Sequence, residues 1–340
     1  MKLLKEANAL DPDFSQVYAL WSNIYSDIPK TDSDIPKTDS AIILAKEAIV
    51  RNPELPDGYI ALSRTQDLIN AIKTLRKLCD IDSSRGLLGM GNIYAMNAEF
   101  PNAIQFYRSV IKIDPNLYES YLGIAFVYYY MAQQDSMDKY IALANKFAPN
   151  SKDILQFSMI REQFSGDTKA EIAAAKKYYA DDTLSFNYVT AISYLIARDW
   201  KNAERFYLKT NYRDMDWGLI KLKTGRIDSG RMILKQSLAF RGSNGWAGDI
   251  SRINAVLGNK IIAISELKKL LASGWYDLTW LRNDPYWDEL RDEQEFRQIM
   301  EEVEQRNVKM LQQIRENKYS DMKSVIHSYT MLNMKTLTQL

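Results

Sequence analysis

The 340-residue chain reads as an all-α superhelix of about eight stacked helix pairs, closed at its C-terminal end by a capping helix. Three observations carry this. Only 14 Gly and 9 Pro leave little material for the tight turns of a β chain, while 46% apolar residues with 21 Tyr and 7 Trp supply ample surface to bury. The length exceeds one ordinary core, so the chain divides into domains or stacks as an array. Prolines that end short helical patterns also recur at a fixed interval: "NAIQFYRSVIKIDP" stops at Pro115 and "SMDKYIALANKFAP" at Pro149, 34 residues later.

Within these two units, large and small residues fall at matching places. Leu87, Met90, Gly91, Tyr94, Ala103 and Tyr107 occupy them in the first, and Tyr121, Ile124, Ala125, Tyr128, Met137, Ile141 and Ala144 in the second. Small residues mark where two helices touch closely, and aromatics fill the gaps beside them. A helix-turn-helix unit with this period and a closing proline resembles the tetratricopeptide repeat, over roughly residues 1–305.

Taken in order, Met1–Leu10 reads as the second helix of a repeat whose first is missing (1–12), so the chain reads as cut at its beginning. Pro12 and Pro53 close two units 41 residues apart, one heptad more than the period. That heptad, Asp-Ile-Pro-Lys-Thr-Asp-Ser, is written twice, as Asp27–Ser33 and Asp34–Ser40. Tyr18, Trp21, Ser22 and Tyr25 belong to the first helix of this unit and Ala41, Ala45 and Ala48 to the second, so the duplication at 27–40 lengthens the loop between them. Pro29 and Pro36 are expected to stop either copy from continuing a helix, and Thr38-Asp39-Ser40 to cap a helix beginning near Ala41.

From Pro53 to Ser83 is only 30 residues, so that unit's first helix or its turn is about one helical turn shorter. Ser151–Asp182 is a weakly marked unit, and clearer ones follow through "YLIARDWKNAERFY", "WGLIKLKTGRIDSGRMIL" and "VLGNKIIAISELKKLL" to Gly274. In the segment 275–305, Trp287, Leu290, Phe296, Ile299 and Val303 are helix-spaced and predict one stripe lying across the last repeat as a cap. This segment resembles the end of tetratricopeptide regions in bacterial multidomain regulators, where the array is joined to nucleotide cyclase, protein kinase or DNA-binding output domains. Residues 306–340 read as a C-terminal helix or loose tail, whose Val325, Tyr329, Met331, Leu332 and Met334 could fold back into a groove.

The residues point away from catalysis, cofactors and metals. Lys plus Arg (44) balance Asp plus Glu (43), so no overall field draws the chain to nucleic acid or anionic lipid. His327, the one histidine, lies in the tail, out of reach of any dyad or metal cluster in the array. Cys79, the one cysteine, reads as a small buried hydrophobe. Gly86, Gly89 and Gly91 lack phosphate-loop spacing and read as close-packing positions. Exposed carboxylates such as Asp181-Asp182 fall at helix ends. No leader pattern precedes Asp11, and Leu117–Ala132 is too short and too polar to span a bilayer, so a cytoplasmic setting is expected.

The resemblance implies that the first helix of each pair lines a concave groove, which makes Asn23, Arg85, Leu88, Asn92, Met96, Leu122, Phe126, Tyr129 and Tyr130 the candidate peptide-binding positions. Chaperone-binding members clamp a C-terminal carboxylate with a groove lysine followed by asparagine. Ala19 and Leu88 stand where that lysine is expected, which argues against the clamp. Instead "FVYYYM" offers an aromatic wall, with Tyr128 in the core and Phe126, Tyr129 and Tyr130 toward the groove. The expectation is a non-catalytic protein- or peptide-binding scaffold, the sensory or regulatory arm of a bacterial signalling or transcription-regulatory protein. The alternative is a self-association module holding output domains together as a homodimer. Deleting Asp27–Ser33 leaves one copy of the heptad in place and should move the melting temperature by less than about 2 °C, as loop shortening carries little entropy. Scanning calorimetry showing a larger drop would mean that the loop packs against the body.

Overall fold

Local punctuation in the sequence determines where each helix starts and stops. The computed structural model describes residues 2–27, 35–149, 151–163, 165–241, 247–275 and 277–316; among them are nineteen α-helices and no strand. A single helix, α1 (Lys2–Leu10), precedes eight helix pairs. These are α2 (Ser15–Asp27) with α3 (Ile35–Arg51), α4 (Pro56–Arg64) with α5 (Leu68–Ile81), α6 (Ser83–Met96) with α7 (Phe100–Ile113), and α8 (Tyr118–Tyr130) with α9 (Gln134–Phe147). They continue as α10 (Lys152–Gln163) with α11 (Thr168–Tyr178), α12 (Thr183–Ile196) with α13 (Trp200–Tyr207), α14 (Met215–Lys223) with α15 (Ile227–Arg241), and α16 (Ala247–Leu257) with α17 (Lys260–Ala272). A short α18 (Leu278–Asn283), a 3₁₀ helix (Pro285–Leu290) and the long α19 (Gln294–Glu316) close the chain.

The same devices recur from pair to pair. Asp67, Asp82, Asp182 and Asp199 each cap a helix by accepting from the backbone N–H three residues on, at 2.9–3.2 Å. In the turn between first and second helix, one residue takes the left-handed conformation that ends a helix: Ala98, Ala132, Gly166, Arg198, Gly225 and Gly258, at φ between 54 and 88°. The closing prolines are tied in as well, because the hydroxyls of Tyr18, Tyr59 and Tyr121 donate to the carbonyls of Pro12, Pro53 and Pro115, each six residues earlier, at 2.9–3.0 Å.

The chain separates into two compact units, residues 1–123 with 308–340 and residues 124–307, the boundaries falling inside α8 and α19. In the first, Tyr107 is 1% exposed, and its hydroxyl donates to Asn92 at 2.8 Å. Its ring is clasped by two glycines: a Cβ added to Gly91 or Gly123 would come within 2.5 or 2.4 Å of it. Cys79 is half-buried against Gly86, and burial pushes its thiol up to about 11, which keeps it unreactive. In the second unit, Tyr207 is fully buried and stacks on Trp217 with ring centroids 5.2 Å apart.

Two expectations are corrected. Helix α3 starts at Ile35 rather than near Ala41, so most of the second heptad is helical. Pro36 sits in the first turn, where its missing N–H would have had no partner anyway. The first copy, apart from Asp27, lies outside the described residues, as do His327 and the apolar tail residues. Second, the five apolar closing residues are all buried but do not form one helical stripe: Trp287 and Leu290 are on the 3₁₀ helix, while Phe296, Ile299 and Val303 are on α19. Asp284-Pro285 begins a separate turn, with Asp284 accepting from the Tyr286 N–H at 3.0 Å. The shortened unit after Pro53 is explained by α4, nine residues against fourteen in α6.

Gly91→Ala and Gly123→Ala should each cost about 1–3 kcal/mol, since Tyr107 has no room to yield. Urea denaturation should show this as a lower midpoint, and a wild-type midpoint would mean that the ring shifts freely.

Candidate functional site

In the first unit, the first helices α2, α4 and α6 are joined side to side by polar contacts. Arg64 donates to the Asn23 amide oxygen at 3.1 Å, and Arg85 lies 3.4 Å from Asp57 and 3.8 Å from Asp82. Asn92 is exposed while holding the Tyr107 hydroxyl, Leu88 is half-buried, and Met96 is 71% exposed. Leu122, by contrast, is 4% exposed and belongs to the packed interior.

The aromatic wall of α8 falls in the second unit. Tyr128 is buried and stacks on Tyr140 of α9 at 5.8 Å. Phe126 meets Tyr130 edge-on at 4.7 Å and Phe157 of α10 at 6.0 Å. Tyr129 is covered by the closing segment, for Thr279 donates to its carbonyl at 2.8 Å and its hydroxyl bonds Asp277. Burial first, and the Asp277 charge second, push the Tyr130 hydroxyl up to about 12.

The closing segment is held by the first helices of its own unit. Trp280 packs edge-on against Trp275 at 5.0 Å and Trp287 at 4.6 Å, and the Trp287 indole N–H donates to Ser251 at 3.2 Å. Asp216 of α14 accepts from Tyr286 at 2.9 Å and from Tyr188 of α12 at 3.1 Å. Arg252 of α16 is the hub: it pairs with Asp284 at 2.8 Å, Asp249 at 3.2 Å and Asp216 at 3.9 Å. Its guanidinium lies over the rings of Tyr286 at 4.2 Å and Trp280 at 5.0 Å. Removing one partner from such a buried cluster strands the rest, so it fixes the position of the segment more than it adds stability.

Beside this hub is a partly open cavity of about 380 Å³. The first helices α8, α10, α12, α14 and α16 all contribute to its wall, joined by Glu171 of α11 and by Trp280 and Asp284 of the closing segment. Glu171 is 2% exposed, and burial pushes its carboxyl up to about 7 against the opposing influence of the Ser193 side chain. Burial likewise raises Asp216 to about 6 and Asp277 to about 7. Among the described residues no three His, Cys, Asp or Glu side chains converge as metal ligands, and no helix is long and apolar enough to cross a membrane.

Of the candidate residues, Asn23, Arg85, Leu88, Asn92 and Met96 lie on the first helices of the first unit, and Tyr129 lines the cavity of the second. Sequence reading missed Glu171, Asp216, Arg252, Asp277 and Asp284. Asp277 accepts from the Trp280 N–H at 2.8 Å, as an exposed capping aspartate would, so residue order alone does not reveal its burial. The available signal was the density of tryptophan at 275–287.

Repeated helix pairs, joined by turns with a left-handed residue, define an all-α array of stacked pairs. Among solved structures, the chain is similar to a tetratricopeptide repeat protein from Parabacteroides merdae ATCC 43184, with 15% identity and a TM-score of 0.45 over 76% of this chain and 99% of that one. It is also similar to the APC/C hetero-tetramer Cut9-Hcn1, with 15% identity and a TM-score of 0.37 over 86% of this chain and 52% of that one, about half its length. No family model matches the chain, and no curated protein does.

A folded carboxyl at about 7, against an ordinary 4.5, means that the native state holds a proton which the unfolded chain releases. That stabilisation is complete below pH 4.5 and is lost as pH rises to about 7. Glu171→Gln should therefore melt above wild type at pH 8 and level with it at pH 4.5, read by calorimetry at both; a constant gap would mean that Glu171 is not buried as an acid.

Proposed function

We propose that the chain is a non-catalytic scaffold that binds a protein or peptide partner along the first-helix face of its first unit. The observation that carries this is the row of contacts joining successive first helices, Asn23 with Arg64 and Asp57 with Arg85, beside the exposed Met96. Such a row offers an extended partner alternating polar and apolar footholds on a rigid base. A flexible, polarizable methionine is suited to that contact, and an arginine already oriented by two carboxylates loses little freedom on binding. In the second unit, the corresponding helices already hold a segment of their own chain.

The closing segment's resemblance to those of bacterial multidomain regulators supports placing the array as the sensory or regulatory arm of a cytoplasmic signalling or transcription-regulatory protein. The test is to select peptides on the purified chain and measure their affinity by fluorescence anisotropy for wild type and for Met96→Asp with Arg85→Glu. Binding should weaken by at least about tenfold with an unchanged far-ultraviolet spectrum, as for loss of central anchors. Equal affinity would rule this face out.

A further inference from the structure

Three charged groups in the cavity of the second unit are accounted for by one another: Arg252 sits at 2.8 Å from Asp284 and 3.9 Å from Asp216. Glu171 is not. It is 2% exposed, lines the same cavity, lies against the Ser193 side chain, and has no cationic partner among the described residues. The carboxylates facing the cavity outnumber its one guanidinium, which is already shared with Asp249 outside it. An unpaired buried carboxylate is costly, and the molecule must either protonate it or supply a positive charge from outside. The remaining wall suits the stem of such a charge: the Tyr129, Tyr188 and Trp280 rings beside apolar Ile192 and Met159. A volume of about 380 Å³ lies at the small end of ligand sites.

We propose that this cavity is a binding site for an organic cation, an alkylammonium or alkylguanidinium group on a short apolar stem, with Glu171 as its ion-pair partner and the aromatic rings as its walls. The charge would enter as a free small amine or as a lysine or arginine side chain of a peptide. Either source presents the same chemistry to Glu171. This site is separate from the first-helix face of the first unit and stands or falls without it.

Calorimetric titration of the full chain with agmatine tests the proposal, with pentanamide as a neutral probe of similar reach. Agmatine should bind saturably at about 1 mM or tighter, pentanamide at least about tenfold more weakly, and Glu171→Gln should lose agmatine binding by a similar factor. The Met96→Asp, Arg85→Glu chain should bind agmatine as wild type does. An acetylated and amidated Gly-Arg-Gly peptide separates the sources: binding of the peptide points to a protein side chain, and binding of agmatine alone to a small amine. No saturation with either cation up to about 10 mM, or equal binding of pentanamide, would overturn the proposal independently of how the variant folds.

Discussion

A helix pair of this length cannot cover its own apolar face, and everything else in the molecule follows from that constraint. The face is buried only when the next pair lies on it, and close laying requires a small residue where the helices cross. Ala45, Ala71, Ala103, Ala144, Ala175, Ala203 and Ala263, one in each of seven second helices, are all fully buried. Around these contacts the large side chains have fixed places, of which Tyr107, held between two glycines, is the tightest.

Stacking also sets what the first helices present. Because each second helix is committed to its neighbours, the first helices bring side chains from successive pairs to one surface. In the first unit this yields contacts between consecutive helices, with Met96 left exposed. In the second unit it yields a receptor for the chain's own closing segment, where Arg252 gathers Asp249 of its own helix with Asp216, Asp284 and two aromatic rings from distant parts of the chain. Such a cluster is poor at adding net stability, since each charge gives up its hydration, but it admits very few alternative arrangements.

The limits of sequence reading are plain at particular residues. The signature positions from Leu87 to Tyr107 are legible because they repeat, and a repeat is visible without coordinates. Pro36 misled because proline both stops helices and starts them, and only the backbone on either side decides which. The stripe from Trp287 to Val303 misled for a related reason: spacing shows that residues share a side, not that one helix carries them. Asp277 and Asp284 look like ordinary caps, and the burial that raises their protonation comes from elements distant in the chain.

By itself, then, the sequence determined the helical class, the period, the eight helix pairs and the residues at their interlocks, since all of these depend on local spacing and side-chain size. Tertiary structure alone decided that Tyr129 of the α8 aromatic wall is covered by Asp277 and Thr279, and that Glu171 is left buried beside a cavity without a countercharge among the described residues. The physical reason is that burial and charge pairing depend on which distant surfaces meet, and periodicity along the chain carries no record of that meeting.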